Sequence, residues 1–279
     1  MKKLFLAALA TIMLTSCGKE GYDWGNKGDF NSSEFGKVTL SVNEGNIVKV
    51  KSTATVEDGV DLNNYKVFAS KSDYTVEAWN NKTYGEILTA QQTTVTIPAG
   101  IYNLSAESCT EEAAEADRGK PRFYGSSTFE VVAGSQIASA ASVECTMANA
   151  KVSVGYTELM STYFDDYKVS ITGSYTKTSG TRTAVSFDRN SSHEATASAA
   201  FFNIPQSGTQ TITVIVEAKK KNAADFTSYE AKTYDLSATT WHKITVGTTT
   251  TTEGRAALTI SVNGTVDVLD HEINVNPYN

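Results

Sequence analysis

From residue 36 onward, apolar side chains recur at every second position. Val38, Leu40 and Val42 alternate with Thr39 and Ser41, and Tyr102, Leu104 and Ala106 alternate with Asn103 and Ser105. The same period marks Phe129-Glu130-Val131, Tyr167-Lys168-Val169-Ser170-Ile171, Ile212-Thr213-Val214-Ile215-Val216 and Ile244-Thr245-Val246. Successive strand side chains point to opposite faces, so this period describes half-buried strands with one apolar and one polar face. It predicts an all-β chain of packed antiparallel sheets. Helical candidates are two short stretches, Glu111 to Asp117 and Tyr156 to Phe164.

The pattern occurs twice. Tyr65-Lys66-Val67 returns as Tyr167-Lys168-Val169, Ile97-Pro98 as Ile204-Pro205, and Phe129-Glu130-Val131 as Tyr234-Asp235-Leu236. Lys151-Val152-Ser153-Val154 lines up with Thr259-Ile260-Ser261-Val262. The offsets are 102, 107, 105 and 108 residues. The chain is therefore expected to carry two tandem β-sandwich domains, residues 36–155 and 156–279, each large enough to close one core. The Ile-Pro pairs belong at strand ends, because proline lacks the amide donor that a central ladder needs.

The first residues set the compartment. Lys2 and Lys3 precede an apolar run from Leu4 to Leu14 that is too short for a bilayer span of about 20 residues, but suits a signal peptide over residues 1–16. Leu14-Thr15-Ser16-Cys17 resembles the bacterial lipobox, which implies cleavage before Cys17 and acylation of that cysteine. Residues 17–35 read as a lipidated flexible tether. Acyl chains on Cys17 would hold the protein to the outer membrane. A lysine followed by an acidic residue, Lys19-Glu20, looks like a surface-export signal.

Charge and motifs narrow the functions. The chain has 24 basic against 31 acidic residues, a net of −7, which leaves no basic stripe for nucleic acid. His193, His242 and His271 are scattered, and no nucleophile elbow, zinc-protease motif or phosphate loop is present. No catalytic residue, metal ligand or cofactor is expected. His242 reads as a surface histidine, and Glu111, Glu112, Glu115 and Asp117 as a solvated loop or short helix. Cys109 and Cys145 lie on the oxidising side of the membrane and could form a disulfide. Cys109, however, is out of phase with Tyr102, Leu104 and Ala106, while Cys145 is in phase with Val143 and Met147, so two separate thiols are the alternative. Tyr74, Trp79 and Tyr84 sit in a segment rich in Asn, Lys and Gly. They could face a glycan or protein partner, or close the end of a core.

Together, the lipobox, the strand Gly36-Lys37-Val38-Thr39-Leu40, the run from Ile97 to Ala106, and Lys120-Pro121-Arg122-Phe123-Tyr124-Gly125 resemble the DUF4493 lipoproteins of Bacteroidetes, related in architecture to fimbrillins. The resemblance implies transthyretin-like, Greek-key β-sandwich domains and a role as a pilus subunit or adhesin in cell adhesion. A surface glycan-binding lipoprotein is the alternative. The alternating tail, Val266 to Val275, is expected to pair with a sheet edge, its own or a neighbour's. Its removal is then expected to abolish assembly without unfolding the monomer.

Overall fold

The computed structural model describes residues 34–44, 61–115, 117–135, 137–175, 183–193, 198–205, 208–229, 231–250, 256–257 and 268–275. Cys17, the signal peptide, nearly all of the tether and residues 258–267 lie outside them. The chain is all-β, as its alternation predicts.

The first half contains strands β1 (Phe35–Glu44), β2 (Lys66–Lys71), β3 (Tyr74–Thr75), β4 (Lys82–Thr83), β5 (Thr94–Pro98), β6 (Gly100–Glu107), β7 (Phe123–Val131) and β8 (Ser139–Met147). Helices α1 (Tyr84–Thr89) and α2 (Glu111–Glu115) are single short turns of structure. The strands run in the order β3-β2-β6-β7-β8-β1-β5, with β4 also on β2. Only Phe123↔Met147 and Tyr124↔Thr146 join β7 to β8. The path folds back at this short ladder, so Val67, Ala69 and Leu104 on one side share a core with Val38, Leu40 and Val143 on the other. The Ile97–Gly100 turn needs its glycine, because φ there is 140°, where a side chain is strained. Tyr102 Oη donates to Pro98 O (2.7 Å) and closes the same turn.

The second half contains β9 (Asn149–Tyr156), α3 (Glu158–Tyr163), β10 (Phe164–Gly173), β11 (Val185–Asp188), β12 (Ala199–Asn203), β13 (Gln210–Lys220), β14 (Thr227–Ser228), β15 (Lys232–Leu236) and β16 (Trp241–Gly247). After them come the pair β17 (Thr249–Thr250) and β18 (Ala256–Ala257), then β19 (Val268–Asn274). One sheet runs β11-β10-β13-β14 with β15 also on β13, and the other runs β12-β9-β16-β19.

The repeat is visible in the pairings. β2 lies antiparallel to β6 and β10 to β13, with Lys66 opposite Glu107 and Lys168 opposite Glu217. β1 lies antiparallel to β5 and parallel to β8; β9 lies antiparallel to β12 and parallel to β16. Thus β9 takes the place of β1, a first strand rather than a last one. The expected break after residue 155 runs through the end of this strand, whose Ala150, Val152 and Val154 belong to the second core. Met147 still belongs to the first, so the change of core comes between Met147 and Ala150.

The halves are also joined more closely than tandem units on a linker. β12 is buried along its whole length. Ala199 and Phe201 face the first core, Ala200 and Phe202 the second. The C-terminal tail pairs with its own chain: β19 lies parallel to β16 from Trp241↔Val268 to Gly247↔Asn274. Ile273 and Val275 are part of the second core.

Candidate functional site

The aromatic candidates are drawn into the first core. Trp79 closes a turn after β3, with its amide on Val76 O (2.9 Å). Its ring is 0% exposed, Nε1 donates to Gln92 O at 2.7 Å, and it packs tilted against Phe129. Tyr74 is half-buried and meets Tyr102 edge-on at 6.2 Å between centroids. Burial, and then the Glu77 carboxylate, raise its phenol above the ordinary value. Tyr84 opens α1 behind the Thr83–Glu86 capping box and is half-buried against the same core. A stacking platform needs exposed ring faces, so of the two readings of Trp79 the core-closing one is found. Trp79→Phe should lower stability by about 1–2 kcal/mol, because Gln92 O loses its donor. Urea unfolding would measure this, with the m-value unchanged.

Cys109 and Cys145 are not joined. Both are present as thiols, Cys109 half-buried and Cys145 buried. Cys145 Sγ donates to Ala106 O at 3.5 Å. Burial raises the Cys109 thiol above its ordinary value. Of the two readings the sequence left open, the separate thiols are the one found, in line with the opposite phases of the two side chains.

The acidic stretch forms the short helix expected of it, but Glu115 is buried and Glu111 is drawn into a cluster. Glu111 and Glu107 hold Arg122 through Nη1 (3.4 Å) and Nη2 (3.0 Å). Arg122 Nε donates to Cys109 O at 3.1 Å, and its guanidinium lies over Tyr124. The second half reaches the same cluster. Asn203 Nδ2 donates to Glu111 O (2.8 Å), Tyr175 Oη to Glu111 Oε2 (3.2 Å), and Asn149 Oδ1 accepts from Arg122 N (3.2 Å). Four residues before Arg122 in the same crossover, the Arg118 guanidinium stacks over Phe187, and Arg118 O accepts from Phe201 N. The segment between β6 and β7 is therefore a polar joint between the two cores. Among the described residues, no group of three or more His, Cys, Asp or Glu could hold a metal ion.

A second polar cluster covers the outer face of β9 and β16. Ser153 Oγ accepts from Trp241 Nε1 (2.9 Å) and meets His193 Nδ1 (2.9 Å); His193 Nε2 meets Thr245 Oγ1 (3.0 Å). The series is complete when Ser153 donates to Nδ1 and Nε2–H donates to Thr245. Gly155 makes room for the ring, since a Cβ there would lie 2.8 Å from His193 Cδ2. Lys151 and Lys243 place their ammonium groups 4.1 and 4.2 Å from the Trp241 ring centre. Ser153 is fully buried, so its pairing with His193 pins the segment after β11 to the sheet and does not present a nucleophile to substrate. His242 is also buried, with Nε2 on Thr240 Oγ1 at 3.1 Å, which corrects its reading as a surface residue.

His193 makes this cluster sensitive to acid. Burial, and then Lys243, lower its imidazole from 6.5 to about 4. Between those values the unfolded chain binds the extra proton, so the stability present above pH 6.5 is lost as pH falls towards 4. The loss should reach about 2–3 kcal/mol. His193→Gln should flatten that part of a stability–pH profile measured by urea titration; a slope unchanged by the substitution would contradict the assignment.

Fold and clusters together define an all-β protein with two fused cores, whose polar side chains hold its segments in register. The family model described as "Domain of unknown function (DUF4493)" matches residues 34–277. The chain belongs to this family. No curated protein matches it. Among solved structures it is similar to a candidate adhesin of Bacteroides ovatus, at 9% identity and a TM-score of 0.43, covering 86% of this chain and 95% of that one. It is similar to a candidate cell adhesion protein of Bacteroides uniformis at 11% identity and a TM-score of 0.41, covering 76% and 92%. A fimbrial protein of Bacteroides ovatus matches at 11% identity and a TM-score of 0.33, covering 75% and 48%.

Proposed function

We propose that the protein is a non-enzymatic, lipid-anchored component of the cell envelope, a fimbrillin-like subunit displayed at the outer-membrane surface. It joins other subunits through protein contacts and strand addition. The observation that supports this reading best is the edge of the second sheet. There β16 is flanked by β19, a parallel strand supplied from the C-terminal end of the chain. In the first half the corresponding β8 meets β7, antiparallel and over only two register pairs. A terminal strand that closes an edge can also be supplied in trans, because main-chain hydrogen bonds provide the affinity and alternate side chains the specificity.

Two measurements test the reading. Intact-mass analysis of the membrane fraction should find Cys17 as an acylated amino terminus, and Cys17→Ala should move the protein to the soluble fraction. A chain lacking residues 266–279 should take up a synthetic peptide of that sequence in a one-to-one complex and recover its melting temperature. A truncated chain indifferent to the peptide would rule out strand addition at this edge.

A further inference from the structure

The end of the first half at which the chain enters β1 carries a cluster of exposed aliphatic side chains. Ala99 N donates to Glu34 O (2.7 Å) and Gly134 N to Phe35 O (2.9 Å), so the start of β1 lies against both the β5–β6 turn and the turn after β7. Ile101 on β6 is 68% exposed, Val132 just beyond β7 is 55% exposed, and Ile137 is 82% exposed. Gly100 pairs with Val131 and Ile101 with Glu130, which places Ile101 and Val132 diagonally across one ladder on its outer face. Ile137 is held outward by its own turn. Ser135 Oγ donates to Ile137 O (2.8 Å) and accepts from Ile137 N (3.3 Å), while Ser135 N donates to Val132 O (3.4 Å).

From Val131 to Val143 the sequence contains no charged residue. The other large apolar side chains exposed among the described residues are scattered singly, Leu88 on α1, Leu159 on α3, Ile215 on β13 and Phe226 just before β14. Val132 and Ile137 on an uncharged turn, with Ile101 diagonal to Val132, are costly to leave in water and suit the boundary between headgroups and acyl chains.

We propose that this rim rests on a lipid bilayer, with Val132 and Ile137 entering the headgroup–acyl boundary and Glu34, Lys37 and Glu130 forming a polar collar outside it. The proposal rests on acylation at Cys17. Only 17 peptide links separate Cys17 from Glu34, which keeps this end of the fold within about 60 Å of the acyl chains even at full extension. That reach allows the rim to touch the membrane to which the acyl chains are anchored.

The test uses the full acylated chain in vesicles of dioleoylphosphatidylcholine, with and without brominated acyl chains. A bimane label is placed at Ile137→Cys or, as a control in the second half, at Asp225→Cys, each in a Cys109→Ser background. Brominated lipid should quench the label at 137 at least about threefold more strongly than the label at 225, with a blue shift at 137 alone. Equal quenching in protein that floats with the vesicles would overturn the rim and leave the anchor intact. Protein that does not float would overturn both. Concentration-dependent shielding of the label at 137 without lipid would assign the rim to a second copy of the chain instead.

Discussion

Removing residues 266–279 should lower the melting temperature by about 10–20 °C. The tail contributes a strand of the protein's own second sheet, paired with β16 along seven register positions. It also contributes Ile273 and Val275, which are 1% and 0% exposed in the second core. Each such side chain stabilises by about 1.5–3 kcal/mol when buried, so their loss alone amounts to about 3–6 kcal/mol. The amide and carbonyl groups of β16 lose their partners as well, which leaves an open edge able to pair with another molecule. Far-UV circular dichroism should show the lower midpoint, and sedimentation velocity should show association of the truncated chain. This differs from the expectation that the tail could be removed with the monomer intact. An unchanged midpoint would show that β19 contributes little to its own sheet.

Arg122→Met should destabilise the protein by about 3–5 kcal/mol. The guanidinium is bonded to two carboxylates whose side chains are 15% and 12% exposed, Glu107 and Glu111. Removing the cation leaves both anions in a poorly solvated joint, a cost larger than the attraction that is lost. Arg122→Lys keeps the charge but cannot span Glu107, Glu111 and Cys109 O at once, so an intermediate loss is expected. Combining Arg122→Met with Glu107→Gln and Glu111→Gln should restore much of the stability, because no uncompensated charge remains. Guanidinium unfolding would measure the series. A triple variant no more stable than Arg122→Met would mean that packing of the arginine stem, not charge, holds the joint. The halves meet at this cluster, so the single variant should also weaken the coupling between them and broaden the transition beyond one cooperative step.

The alternation of Val38, Leu40 and Val42, or of Tyr102, Leu104 and Ala106, could be read directly, because a strand with one wet face writes its period into the sequence. The duplication was legible for the same reason, at Tyr65/Tyr167 and at the two Ile-Pro turns. The helices at Glu111–Glu115 and Glu158–Tyr163 fell where the alternation stops. β12 was not legible. Ala199-Ala200-Phe201-Phe202 does not alternate, because its two faces serve two different cores. The place of β9 as a first strand was not legible, since its outward residues Lys151, Ser153 and Gly155 look solvent-facing yet lie beneath His193 and Trp241. Whether Trp79 faces solvent or the core could not be decided from its polar neighbours, because local composition says nothing about a ring that turns inward to reach Gln92 O.

The amino-acid sequence by itself determined an all-β chain and its twofold repeat, because both are written in short runs of residues along the chain. Tertiary structure alone decided that the two cores share a buried strand, that β19 returns to β16, that Arg122 joins the halves, and that Ile101, Val132 and Ile137 are exposed near the end where β1 begins. These depend on which strands distant along the chain become neighbours, and a two-residue period fixes the face of a strand without choosing its partner.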